Sequence, residues 1–111
     1  LQSADTATLK DKPFDVVINT TPLGMKGFAA DLPFDVRLIE KHHVVMDIVY
    51  NPEMTPLLAA AKNAKSEVIT GRWMLLYQAV RQFELFTETT ASEEIESAMA
   101  EALSVQLSKI V

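Results

Sequence analysis

Short runs of apolar, β-branched residues recur along the chain at spacings that suit buried strands. Asp15 to Thr20 (DVVINT) is the first, Val44 to Tyr50 (VVMDIVY) the second, and Glu67 to Thr70 (EVIT) a weaker third. Continuously apolar runs of this length are typical of strands that are buried on both faces of a parallel sheet. The pattern therefore predicts about three strands in one parallel sheet.

Helical patterns alternate with these strands. Thr55 is a suitable N-cap and Pro56 a suitable first residue for a helix between the second and third strands, which makes a parallel crossover unit. After Gly71, apolar residues recur at steps of three and four, which predicts a helix ending near Thr87. Its apolar stripe consists of Trp73, Leu76, Val80 and Phe83.

The remaining segments complete the predicted architecture. Thr90 and Glu93 fit a capping box before a final helix, whose buried face is predicted to be Ile95, Ala98, Met99, Ala102 and Leu103. A loop and a short helix around Val36 to Lys41 are expected between the first two strands. The whole predicts an α/β fold: the second half of a doubly wound, Rossmann-like parallel sheet with flanking and C-terminal helices.

Composition narrows the class of protein. With 111 residues, 49% of them hydrophobic, the chain has room for one domain with a core. The absence of cysteine excludes disulfides and thiolate chemistry. Ten scattered Lys and Arg against 15 Asp and Glu argue against a nucleic-acid partner. Without a membrane-length apolar run or a signal-peptide pattern, a cytoplasmic protein is expected, and the opening Leu1 suggests a fragment.

Reactive groups are few. The chain has no Gly-rich phosphate loop, no serine elbow and no spaced set of metal ligands, so neither a catalytic residue nor a metal site is expected. His42 and His43 are adjacent, point in different directions and are expected at the surface. Asp47 lies inside an apolar strand, where a carboxylate needs partners. It belongs either to a polar network beside a ligand cleft or to a structural contact.

Three sequence blocks carry a resemblance to a known family. They are Asn19 to Met25 (NTTPLGM), Asp47 to Leu58 (DIVYNPEMTPLL) and Gly71 to Leu75 (GRWML), the last followed by Gln78 and Phe83-Glu84. In this order and spacing they resemble shikimate dehydrogenases over residues 14 to 87. The resemblance implies NADPH-dependent, reversible reduction of 3-dehydroshikimate to shikimate, in aromatic amino acid biosynthesis. Residues 1–111 would be the C-terminal part of the NADP-binding domain with the C-terminal helices, lacking the N-terminal substrate domain.

The resemblance also assigns roles to individual positions. Tyr50 and Gln78 would bind the substrate, although a core-edge tyrosine and a solvent-facing glutamine are the alternatives. The NADP-binding positions would be Asn19, Thr20, Ile48, Gly71 and Met74. Asn19 and Thr20 would otherwise cap a turn, and Gly71 would otherwise mark a strand-to-helix turn.

The chain also departs from the family pattern. Arg72-Trp73 replaces small or aliphatic residues and is expected to alter packing at the nicotinamide, and Glu88 stands where the family usually has glycine. The family's catalytic Lys and Asp and its phosphate-binding loop have no counterpart here, so the isolated chain is expected to be inactive. It is also expected to self-associate through the stripe led by Trp73 and Phe83. The alternatives are a quinate/shikimate dehydrogenase that uses NAD and a catalytically silent ligand-binding homologue.

Overall fold

A parallel three-stranded sheet forms the centre of the structure, a computed structural model that describes residues 4–29 and 31–109. The strands are β1 (Val16–Asn19), β2 (Val44–Asp47) and β3 (Glu67–Ile69), in the spatial order β1-β2-β3. Val45 pairs with Val17 on one side and with Val68 on the other. The strands lie within the three predicted runs, and the α/β fold class is confirmed. Their carboxyl ends meet at one edge, where ligands bind in open α/β sheets.

The helices follow local capping signals. Helix α1 (Pro56–Asn63) begins as predicted, because the Thr55 hydroxyl accepts a hydrogen bond from the Leu58 amide. Helix α2 (Gly71–Thr87) ends at the predicted residue, and Glu88 follows in the left-handed conformation with φ 54°. Glycine adopts that conformation more easily than glutamate, by about 1 kcal/mol.

One short segment differs from the sequence-based expectation, and another was not predicted. The helix expected around Val36 to Lys41 is a single 3₁₀ turn, Val36–Leu38, which begins where the Asp35 carboxylate accepts from the Arg37 amide. A second 3₁₀ helix, Thr6–Asp11, lies in the segment that shows little periodicity and is capped by Asp5. Single capping side chains define these turns, and hydrophobic periodicity does not reveal them.

The core lies on one face of the sheet. Ile39, Val45, Leu57, Leu58 and Ala61 are buried there between the strands and α1. On the opposite face Val16 and Ile18 are 55% and 54% exposed, so the prediction that the first strand is buried on both faces was wrong. The reason is geometric: α1 and the turn at Val36–Leu38 pack on the same face, and α2 packs chiefly against α3 (Glu93–Lys109).

The pairing of α2 with α3 buries narrower stripes than predicted. Leu76 and Val80 of α2 are buried and Phe83 is half-buried, but Trp73 is 46% exposed. In α3 the residues Ile95, Met99 and Leu103 are half-buried, whereas Ala98 and Ala102 are exposed. A helix that packs mainly against one neighbour buries only a narrow stripe.

The start of α3 also differs from the expected capping box. The hydroxyl that accepts from the Ile95 amide is that of Ser92, at 3.3 Å, and not that of Thr90. Ser92 stands directly before the first helical residue, which is the position a cap requires. Within the described ranges, no helix is both long enough and apolar enough to span a membrane.

Candidate functional site

A cleft of about 470 Å³ opens at the carboxyl edge of the sheet. Its walls come from the loop after β1, the residues after β2 and the first turns of α2. Among the sequence-predicted site residues, those that line it are Thr20, Ile48, Tyr50, Met74 and Gln78. The volume falls within the roughly 300–1,000 Å³ typical of sites for small molecules and cofactors.

Tyr50 and Gln78 present polar groups at this cleft. Tyr50 is 42% exposed, and Gln78 lies on the side of α2 that faces the cleft. Within residues 4–29 and 31–109, no hydrogen bond engages the Tyr50 hydroxyl or the Gln78 amide. Each group is therefore free to bond a polar ligand, the phenol as donor or acceptor and the amide as both.

Gly71 fixes where α2 starts relative to β2. A Cβ atom at this position would lie 2.5 Å from the Ile48 carbonyl oxygen and 2.6 Å from that of Val49. The close approach that requires glycine is thus to the backbone at the end of β2. Gly71 does not line the cleft itself, but it brings α2, with Met74 and Gln78, alongside Ile48 and Tyr50.

Asn19 lies behind the cleft wall and not in it. Its side chain is buried, with Nδ2 donating to Asp47 Oδ1 at 3.0 Å and Oδ1 accepting from the Thr21 amide and hydroxyl at 3.0 and 2.7 Å. This is the turn-capping interpretation that the sequence left open. Of Asn19 and Thr20, only Thr20 lines the cleft.

Asp47 is fully buried and accepts hydrogen bonds at both carboxyl oxygens. Oδ1 accepts from Asn19 Nδ2 and from the Val49 amide, each at 3.0 Å, and Oδ2 accepts from the Thr55 hydroxyl at 2.7 Å. Its partners come from the end of β1, the end of β2 and the start of α1. Asp47 therefore ties these three segments together directly behind the cleft.

Sequence reasoning missed several further cleft residues. The loop after β1 is fastened to the chain after β2, because the Lys26 amide donates to the Asn51 carbonyl at 2.9 Å. The missed lining residues are Thr21, Pro22, Met25, Lys26, Val49, Asn51 and Leu75. All of them except Lys26 belong to the sequence blocks that carry the family resemblance, which was the signal available for finding them.

Arg72 and Trp73 do not line this cleft, and the expectation that they alter packing at the nicotinamide stays a prediction. Arg72 Nη1 lies 3.5 Å from Glu53 Oε1, and its Nη2 bonds the Ser104 hydroxyl of α3. The Trp73 ring stacks on Tyr77 with 6.4 Å between centroids. Arg72 instead borders a neighbouring groove of about 840 Å³, which shares Met25, Lys26, Tyr50 and Asn51 with the cleft.

The two histidines pack against each other, with 4.0 Å between their ring centroids, and only one of them lies at the surface. His42 is exposed, but His43 is 4% exposed and stacks on Phe14 with 4.3 Å between ring centroids. Its Nδ1 accepts a hydrogen bond from the Glu40 backbone amide at 2.8 Å, so the ring supplies an acceptor within the turn that precedes β2. In the described part of the chain, no group of three or more His, Asp or Glu side chains is placed to hold a metal ion.

Comparison with known proteins links this geometry to one group of enzymes. Residues 71–103 match the family model for the shikimate 5'-dehydrogenase C-terminal domain. The NADP(+) shikimate dehydrogenase of Leptospira interrogans is 41% identical over 92 residues, which cover 83% of this chain and 32% of that protein. The chain thus spans about a third of the length of that relative.

Solved structures give the same result. Quinate dehydrogenase from Corynebacterium glutamicum in complex with NAD is 37% identical, with a TM-score of 0.77 over 88% of this chain and 34% of that one. A shikimate dehydrogenase in complex with NADP+ is 33% identical, with a TM-score of 0.73 over 84% of this chain and 32% of that one. The fold and the sequence blocks therefore point to the same family.

Proposed function

Because this chain belongs to the shikimate dehydrogenase family, we propose that it forms one wall of the active site of an NADP-dependent shikimate dehydrogenase. The proposed reaction is reversible hydride transfer between NADPH and 3-dehydroshikimate, which gives shikimate in aromatic amino acid biosynthesis. The observation that carries the proposal is the convergence of Thr20, Ile48, Tyr50, Met74 and Gln78 on one cleft at the carboxyl edge of the sheet.

In this proposal the residues of the chain bind and orient. NADP, when bound, supplies the hydride chemistry. Ile48 and Met74 give the cleft an apolar wall for a nicotinamide ring, and Thr20 offers a hydroxyl group beside it. Tyr50 and Gln78 lie where a polyhydroxylated substrate needs hydrogen-bonding partners.

The proposal places the proton chemistry outside residues 1–111. The chain would be the C-terminal part of the NADP-binding domain plus the C-terminal helices, and the catalytic acid and base would belong to the rest of a cytoplasmic parent enzyme. Support comes from the relatives, which are about three times as long as the matched region. The 111 residues alone are accordingly expected to show no dehydrogenase activity.

The experiment is a kinetic comparison in the full-length protein that carries this sequence. Tyr50→Phe removes the phenol oxygen and is expected to lower kcat/KM for shikimate about tenfold, the loss typical of one substrate hydrogen bond. Tyr77→Phe is the matched control, because Tyr77 is 60% exposed on α2 and does not line the cleft. Equal kinetics for the two variants would contradict the role proposed for Tyr50.

Use of quinate and NAD is a second candidate, favoured by the likeness to the NAD complex of quinate dehydrogenase. Steady-state kinetics of the full-length protein with shikimate and quinate, each with NADP and NAD, separate the two. A higher kcat/KM for quinate with NAD would overturn the first proposal. Ligand binding without turnover of either substrate would indicate a catalytically silent homologue.

A further inference from the structure

We propose that Asp47 is a positioning residue for the cofactor-facing side of the cleft. It holds Asn19, and through Asn19 it holds the Thr20-Thr21 segment where that segment lines the cleft. The inference rests on the proposed function, because the ligand beside Thr20 is taken to be the nicotinamide cofactor.

Asp47 joins three segments behind the cleft. Its carboxyl group bonds the Asn19 amide at the end of β1, the Val49 backbone in the turn that leads to Tyr50, and the Thr55 hydroxyl that caps α1. All three partners donate, so both carboxyl oxygens act only as acceptors. The group is fully buried, where a missing partner would be costly.

Asp47 and Thr21 hold opposite ends of the Asn19 amide. The NH₂ end donates to the Asp47 carboxylate, and the oxygen end accepts from both the backbone amide and the hydroxyl of Thr21. The chain of bonds leads from Asp47 to Asn19 to Thr21, and Thr20 lies between the last two in sequence.

A neutral amide at position 47 would weaken this link. Asp47→Asn nearly keeps the shape of the side chain, but it leaves one uncharged acceptor oxygen for three donors, so at least one bond is lost and the others weaken. The substitution therefore tests the polarity of the contact and not its packing. Asn19→Ala breaks the link at its other end and leaves the bonds from Val49 and Thr55 to Asp47 in place.

Kinetics of the full-length protein test the proposal. Asp47→Asn is expected to raise KM for NADP about tenfold, while KM for shikimate and kcat stay within about twofold. Asn19→Ala is expected to raise KM for NADP by a similar factor, because it removes the same link while the other two bonds of Asp47 remain. A purely structural role would change both KM values together or change neither.

Ser66→Ala is the matched control. Ser66 is also buried and donates a 2.7 Å hydrogen bond to the Glu40 carbonyl, but at the opposite edge of the sheet. It is expected to lower the thermal midpoint by a few degrees, as Asp47→Asn does, and to leave KM for NADP unchanged. If Ser66→Ala raises KM for NADP as much as Asp47→Asn does, loss of stability explains the effect and the proposal is overturned.

A second measurement separates this proposal from the proposed function. If the wild-type protein does not oxidise shikimate with NADP, the proposed function fails, and amide NMR spectra of the ¹⁵N-labelled protein then test the positioning role. Asp47→Asn is expected to shift the Thr20 and Thr21 amide signals, whereas Ser66→Ala is expected to leave them in place. Unmoved Thr20 and Thr21 signals in Asp47→Asn would refute the positioning role.

Discussion

Gly71 shows how the absence of one side chain positions a helix against a strand. Because a Cβ atom at this residue would lie 2.5 Å from the Ile48 carbonyl oxygen, Gly71→Ala forces α2 away from the end of β2. We expect the free energy of unfolding to fall by about 2 kcal/mol, in the range typical of overpacked sites. Urea titration followed by circular dichroism measures this change.

Gly27→Ala provides the comparison for that prediction. Gly27 has φ 88°, and a Cβ atom there would meet no heavy atom within 4 Å, so the substitution adds backbone strain without a clash. The expected cost is about 1 kcal/mol. A Gly71→Ala protein as stable as Gly27→Ala would show that α2 can shift freely and that the tight contact does not position the cleft.

Side-chain orientation was the part of the site that the sequence did not determine. The blocks around Tyr50 and Gln78 predicted residues that do line one cleft, because they follow strand ends or lie on one face of α2. The inward direction of Asn19 depends on Asp47, 28 residues away, and the burial of His43 depends on Phe14. Such distant contacts leave no trace in local spacing.

At the scale of elements, the connection between α2 and α3 depends on Glu84. Its Oε1 accepts from the Ala91 amide at 3.0 Å, and its Oε2 accepts from Arg81 Nη1 at 2.9 Å. The backbone hydrogen bond from Ala91, followed by the Arg81 guanidinium, holds the pKa of Glu84 below its usual value of 4.5. The carboxylate therefore fastens the turn between the helices to α2.

This lowered pKa predicts a pH-dependent contribution to stability. A carboxyl group whose pKa is lower in the folded state stabilises the fold above its unfolded pKa, and the contribution disappears as pH falls through the folded pKa. Glu84→Gln is therefore expected to be less stable than wild type near neutral pH. The difference should shrink as pH falls below about 4.5.

Thermal unfolding of both proteins across the acidic range measures this difference. Glu101→Gln is a suitable control, because Glu101 is exposed within α3 and the structure describes no hydrogen bond to its side chain. Its stability difference from wild type is expected to be small at every pH. A Glu84→Gln difference that persists unchanged to low pH would show that packing, and not the charge, holds the turn.

The existence of the main elements was predictable, but their ends were less so. Hydrophobic runs and the Thr55-Pro56 signal place β2, α1 and β3 in the right order. The start of α3 was misplaced because Thr90 and Ser92 are both good caps, and only the bond from the Ile95 amide distinguishes them. The 3₁₀ turns depend on single aspartates, which hydrophobic periodicity does not register.

At the scale of the whole molecule, the described residues cover one side of the sheet and leave much of the other side open. The side away from α1 carries Val16 and Ile18, each more than half exposed, and the end of α2 carries Leu85 and Phe86, at 64% and 87% exposure. The sequence of β1 is typical of a strand that is buried on both faces, but the described residues leave one of these faces open. Apolar surface of this kind is usually covered in a stable assembly.

The 111-residue chain by itself is therefore expected to self-associate. Phe83 is half-buried in α2, so the available surface differs from the predicted stripe. It consists of the open sheet face together with four exposed residues of α2: Trp73, Tyr77, Leu85 and Phe86. Light scattering from micromolar to millimolar concentration should show a mass that rises above 12.3 kDa. Ile18→Thr keeps a β-branched side chain while removing apolar area, and should weaken the association. Val105→Thr is the control on α3 and should not weaken the association. A strict monomer at every concentration would contradict the prediction that the open face drives self-association.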